Sequence, residues 1–308
     1  MKMPVALLLS FLSLINLFAV PLGPLQIQYL TTWGGQDDTL IQLHHPEDIA
    51  ISPAGQLYIA DTGLHRILLL TLDGKLIRSV GGQGWGQDQF DRPVALDASN
   101  GLDVFVADYN NGRIVRYDKD LNYLTAIEKQ EDWPESYDMG YPLDVALSPL
   151  NHLYCIDDEN NRVLMMDLIG TPLFILGDYD AGEGQLVAPK EIFIRQNRSV
   201  WVLDSYRSIV VFDEYGNYSH HWKPVDVNQF CGLTPCGQWG LCLADLTRNR
   251  LLVVNEIGRS IGIFDANLHP LVNFHKPVHA AYFDSKIFVL DQEQDQVYVF
   301  QIVQNRQD

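Results

Sequence analysis

Positive charge is scarce in this sequence: 21 Lys and Arg stand against 39 Asp and Glu, giving a formal net charge of -18 and a pI near 4.7. A phosphate backbone is repelled by such a chain unless its few cations gather on one face, and no stretch gathers them, so nucleic acid is excluded as an expected partner. Cysteine is also sparse, with four in all and the first at Cys155, so none lies near the N-terminus to carry a lipid. Long apolar runs are lacking apart from one, Val5 to Val20, interrupted by Ser10, Ser13 and Asn16, preceded by Lys2 and followed by Pro21 and Gly23. That run is short for a membrane span and has the layout of a secretory signal peptide over residues 1–23. Residues 24–308 are then expected to be a secreted or periplasmic monomer, with membrane attachment only through an uncleaved signal segment.

Complete catalytic motifs are missing as well. Gly258-Arg259-Ser260-Ile261-Gly262 has the letters of a nucleophile elbow but not the strand-turn-helix context it needs. The glycines between Gly81 and Gly86 are not followed by the Lys and Ser or Thr of a phosphate loop, and Asp178-Tyr179-Asp180-Ala181-Gly182 lacks the later ligands of a calcium loop.

What the sequence does have is a repeat. Pro46, Pro93, Pro142 and Pro189 are separated by 47, 49 and 47 residues, and each lies 15 residues before an aspartate: Asp61, Asp108, Asp157 and Asp204. A sixth unit runs from Pro277 to Asp291. A divergent fifth aligns with Gly240 in the proline place and Asn255 in the aspartate place. Each unit contains short Val/Ile/Leu/Tyr runs separated by turn residues such as Pro53-Ala54-Gly55 and Asp73-Gly74, which predicts antiparallel strands, four to a unit. A unit of this size cannot bury its own faces, so the units are expected to stack radially as the blades of an all-β propeller. Too few residues follow Ile302 to supply a fourth strand to the last blade. Gln26 to Trp33 matches the strand at Lys75 to Val80, down to a following Gly-Gly, so the N-terminal strand is expected to close the ring. One face, here called the top, then collects the loops from strand d to strand a and from b to c.

The pattern P-x-x-[IV]-A, then LY[IV]AD, then [NH]R[IV], carried by segments such as PEDIAISPAGQLYIADTGLHRI, resembles the NHL repeat family. The resemblance extends over about residues 25 to 303 and implies a six-bladed propeller. It implies little about activity, because NHL propellers include enzymes, RNA binders, sensors and plain scaffolds.

Four groups of residues are candidates for function. Two residues after each proline stand Asp48, Ala95, Asp144, Glu191 and His279, with Cys242 aligned in the fifth unit. Asp48, Asp144, Glu191 and His279 are expected to ring the channel mouth, where carboxylates and imidazole could orient a polar ligand or hold a divalent cation, Ca or Zn. His45, His65, His275 and His279 belong to adjoining blades and would make an alternative zinc site, in loose similarity to peptidylglycine amidating lyases and their successive-blade histidines. Trp133 and Tyr137, in the long acidic connection Glu128 to Asp138, are a candidate edge for a peptide, glycan or protein, or else a cap on the disc. Cys231 and Cys236 flank Thr234-Pro235 and are expected to pair, with Cys242 as a competitor for Cys236. Arg66, Arg113 and Arg162 follow the strand b aspartates by five residues and read as structural pins. The reading that results is an exported binding or scaffolding module acting through its top-face loops, with a metal-dependent lyase or hydrolase as the alternative and no cofactor firmly implied.

Overall fold

In a computed structural model, residues 25–35, 41–131, 133–264 and 270–303 are described. The signal segment expected at residues 1–23 lies outside them. The chain forms six sheets of four antiparallel strands each. Blade one comprises Asp48–Ile51, Leu57–Asp61, Arg66–Leu70 and Leu76–Gly81, and blades two to four begin at Pro93–Asp97, Pro142–Leu147 and Pro189–Ile194. In every blade strand a is innermost, and neighbouring innermost strands touch around the axis.

The alternation of each strand b and strand c feeds not six separate cores but six seams. One cluster packs Tyr58, Ile67 and Leu69 of blade one against Leu96, Val104 and Val115 of blade two. Another packs Ile49, Leu57 and Leu68 against Phe288, Leu290 and Val297 of blade six. Each blade thus supplies one apolar face to each neighbour, which is why a single blade has no core of its own.

Blade six contains Pro277–Phe283, Lys286–Asp291 and Gln296–Val303, and its outermost strand is Gln26–Gly34. Gln26 pairs with Val303 and Gly34 with Gln296, so the N-terminal strand closes the ring as expected. Gly34 (φ 86°) meets Gln296 as Gly81 (φ 140°) meets Arg66. A Cβ on Gly34 would lie 2.8 Å from the Asp295 carbonyl, and one on Gly81 2.4 Å from the Arg66 Cα, so in these two blades strand d meets the start of strand c at a glycine.

Blade five corrects the sequence alignment. Its strands are Phe230–Pro235, Leu241–Asp245, Arg250–Val254 and Ser260–Phe264. Phe230 takes the proline place, 15 residues before Asp245, and Phe230 pairs with Asp245 as Pro189 pairs with Asp204. Gly240 and Asn255 hold neither marker position, and Cys242 is on strand b, not at the channel mouth. With the register reset, Arg250 stands five residues after Asp245 and bonds to it at 2.9 Å, so blade five has the pin assigned to blades one to three.

The cysteine expectation is also corrected. Cys236 is bonded to Cys242, not to Cys231. The bond bridges the turn from strand a to strand b of blade five, whereas Cys231 sits at the inner end of strand a with its Sγ toward the Pro277 carbonyl. Cys155 and Cys231 are free and buried. Among the described residues no helix is long and apolar enough to cross a membrane, and the disulfide fits an oxidising compartment.

Candidate functional site at the channel mouth

The mouth is built by a backbone irregularity that recurs with the proline. Pro142 pairs with Asp157, but the next pair is Asp144 with Ile156, leaving Leu143 as an extra residue. The same shift follows Pro93, Pro189 and Pro277. A regular strand would send consecutive side chains to opposite faces, whereas here both residues after the proline face the axis, as Lys190 with Glu191 and Val278 with His279. They line a cavity of about 560 Å³ that is open to solvent at the top.

The aspartate at the end of strand b holds this region in place. Asp61, Asp108, Asp157, Asp245 and Asp291 are completely buried. Asp108 accepts the Asp91 N–H at 2.8 Å and the Arg113 Nε–H at 2.8 Å, and Arg113 donates onward to the carbonyls of Gly86 and Gln89. Asp61 does the same with the His44 N–H and Arg66, and Asp157 with the Gly140 N–H and Arg162. Asp204 and Asp291 lack an arginine and are satisfied by main-chain N–H groups of the preceding loop. The pin therefore fixes the loop that precedes each proline, more than the b-to-c loop for which the sequence suggested it.

Asp48, Asp144, Glu191 and His279 all reach the cavity lining. Each also reaches across a blade boundary. Asp48 Oδ2 accepts the Leu96 N–H at 2.7 Å, Asp144 Oδ2 the Ile192 N–H at 2.7 Å, and Glu191 the N–H groups of Gly232 and Leu233 at 2.7 and 3.0 Å. His279 Nδ1 lies 2.7 Å from Asp48 Oδ1 and 3.3 Å from the Ile49 carbonyl, so its N–H is shared between them across the closing seam. The four residues are stitches between successive innermost strands as well as the floor of the cavity.

Burial pushes the Asp144 carboxyl well above the usual carboxylate range, and Asp48 adds to it, while the Ile192 N–H opposes. Burial likewise raises Glu191 against the opposing pull of His279 and two N–H donors. For His279 burial disfavours the charged ring, but Asp48 first, then Glu191 and Asp144, more than offset it and hold the imidazole at about 10. His279 is therefore an imidazolium at neutral pH.

Above this floor lies a rim that sequence reasoning missed. Arg92 stacks over the Tyr109 ring with its guanidinium 4.5 Å from the centroid, and lies 3.6 Å from Glu47. The Tyr109 hydroxyl donates to Asp158 at 2.7 Å, and Lys190 approaches Asp158 at 3.5 Å. Burial raises Glu47, with Arg92 and Lys276 opposing. Burial also pushes Tyr206 to about 12, with Glu191 adding to the effect. A signal was present: Arg92 and Lys276 precede their prolines, Glu47 and Lys190 follow theirs, and Tyr109 and Asp158 follow the strand b aspartates.

The other expected sites separate. His45, with φ 46°, donates its main-chain N–H to Asp295. His65 Nδ1 accepts the Arg92 N–H at 3.1 Å, and His275 Nε2 meets Asn273 at 3.1 Å. Of the four histidines only His279 lines the cavity, and among the described residues no three His, Cys, Asp or Glu come together as a metal-binding group. The four-histidine set does not fit a zinc ion: three of its members stand in loops with their own partners, and the fourth gives its Nδ1 to Asp48. Trp133 and Tyr137 pack against the seam between blades two and three and line a second cavity of about 550 Å³ at the edge of the disc. The Tyr137 hydroxyl lies 3.4 Å from the Leu173 carbonyl, so the two rings rest on the disc and line an open cavity at the same time.

Comparison with known proteins agrees with the repeat and the fold. An alignment over 90 residues that covers 27% of the chain is 30% identical to NHL repeat-containing protein 2 of Gallus gallus and spans 12% of that protein's length. Virginiamycin B lyase of Staphylococcus aureus superposes with a TM-score of 0.59 at 14% identity, covering 91% of this chain and 99% of the lyase. A streptogramin B lyase structure gives 0.60 at 14% identity, covering 92% and 89%. At that identity the likeness is one of fold. Residues 43–68, the loop and first strands of blade one, match the NHL repeat family, and the chain is a six-bladed β-propeller that carries this repeat.

Proposed function

We propose that the protein is an exported, monomeric binding module that takes a peptide, a glycan or part of another protein into its top-face mouth. The observation that carries this reading is the recurring bulge after the proline, which turns two side chains of each affected blade toward one axial cavity. A structural repeat needs no such doubling. Export is supported by the apolar run before Pro21 and by the Cys236–Cys242 bond. Exclusion of nucleic acid is supported by the charge of -18. NHL propellers generally serve as protein-interaction modules, which makes a binding role the simplest use of this one.

The test is a comparison of peptide and glycan arrays probed with the wild type, with Gln292→Trp at the rim of the mouth, and with Phe174→Ala on the outer edge. Binding lost in Gln292→Trp and kept in Phe174→Ala supports the reading. Binding indifferent to Gln292→Trp overturns it.

A second reading, a lyase or hydrolase acting at the same mouth, draws on the Asp48–His279 pair at its floor. It is separated from the first by metal analysis after dialysis: stoichiometric zinc or calcium that His279→Gln abolishes would favour it.

A further inference from the structure

Hydrogen-bond accounting inside the mouth is lopsided. The floor carboxylates have their oxygens met by fixed donors: Asp48 by two main-chain N–H groups and His279, Asp144 by Val145 and Ile192, Glu191 by Gly232 and Leu233. Asp158 accepts the Tyr109 hydroxyl. The cations are not matched in the same way. Lys190 reaches Asp158 only at 3.5 Å, and Arg92 reaches Glu47 only at 3.6 Å. Lys276 lines the cavity near enough to Glu47 to act on its charge, yet its ammonium makes no hydrogen bond or ion pair among the described residues. A guanidinium carries five donors and an ammonium three, so what the cavity lacks is acceptors.

We propose that the mouth recognises a carboxylate group on a small ligand, held between Arg92, Lys190 and Lys276, which with His279 line the same cavity. This rests on the mouth being the binding site. A single negative charge suits the site better than a dianion, because Glu47 and Asp158 stand among the cations. Arg92, placed over the Tyr109 ring and lining the cavity, brings to it the forked guanidinium that pairs bidentately with a carboxylate. The carboxylate has two natural sources, the C-terminus of a peptide and a sugar acid, and the cavity of about 560 Å³ has room for two or three residues of either.

The experiment is isothermal titration of the full protein with acetyl-Ala-Ala as free acid, the same dipeptide as amide, and the methyl glycoside of galacturonate, which like the free dipeptide carries one carboxylate. Binding of either acid, a loss of tenfold or more with Lys276→Gln and with Arg92→Gln, and weakening as salt rises from 0.05 to 0.5 M are expected. No binding by the amide identifies the charge as the determinant, and the better of the two acids identifies the source. Lys276→Gln removes no described contact, so it stays informative should Arg92→Gln unfold the protein. If both acids fail, or if the amide binds as well as the acid, the carboxylate inference is overturned while array binding blocked by Gln292→Trp would leave the mouth reading standing. Acid binding unchanged by Gln292→Trp overturns both.

Discussion

His279 is the residue whose charge most directly reports on ring closure, because its imidazolium joins blade six to Asp48 and Ile49 of blade one. Its folded pKa of about 10 lies above the 6.5 of a free imidazole. The folded state therefore holds the proton more tightly, and the stability this confers is complete below pH 6.5 and is lost as pH rises toward 10. The unfolding free energy of the wild type, measured in denaturant, should fall more steeply than that of His279→Gln between pH 7 and 10, by at most about 1.4 kcal/mol per pH unit. Parallel curves would mean that His279 carries no extra proton in the folded protein. The buried pins give a second residue-scale expectation. Arg113→Ala takes the counter-charge from the buried Asp108, leaving it the Asp91 N–H and the Asn111 amide, and should cost about 3–5 kcal/mol in denaturant unfolding. Ser208→Ala, at the corresponding place in blade four where Asp204 is held by main-chain N–H groups and the Ser205 hydroxyl, should cost under about 1 kcal/mol.

At the scale of elements, the closing strand and the disulfide are each expected to matter in a measurable way. A chain beginning at Asp37 lacks Gln26–Gly34 and exposes Gln296–Val303 as an unpaired edge. It should melt well below the chain beginning at residue 24 or aggregate, and equal melting temperatures would contradict the closure. Non-reducing peptide mapping should find Cys236 linked to Cys242, with Cys155 and Cys231 alkylated only after unfolding. Closing so short a loop is worth roughly 2 kcal/mol in the chain-entropy account. These elements also show what the sequence could and could not convey. Blades with the Pro-to-Asp interval were legible because proline marks a strand start and a buried aspartate is chemically unmistakable. Blade five was misaligned because Phe230 does the work of the proline by burial, and nothing in its letters says so. The floor of the mouth was legible from repeat position. Its rim was not, because a bulge that turns two consecutive side chains the same way breaks the alternation from which strand faces are inferred.

At the scale of the whole molecule, the acidity and the mouth pull in different directions. A surface of net charge -18 discourages anions at long range, so a carboxylate ligand should associate slowly at low salt even though its final contacts are cationic. Raising ionic strength should speed association while weakening the bound state. Stopped-flow fluorescence would separate the two effects, and association that slows as salt rises would show that the mouth's local field dominates. The same charge predicts no retention on heparin at physiological salt.

The pairing of Gln26–Gly34 with Gln296–Val303 also sets an order of events in the life of the chain. Within the propeller the strand made first has as its partner the strand made last, so the ring cannot close until Gln296–Val303 has been made. During that interval the first strand is an edge without a mate, emerging alone from a ribosome or a translocation pore. Its sequence suits the wait: Gln26, Gln28, Thr31 and Thr32 interrupt Ile27, Tyr29 and Leu30 with polar side chains, so the segment offers a poor template to a passing stranger. The seam keeps the newborn ring open, and becomes a lock only once both of its strands exist.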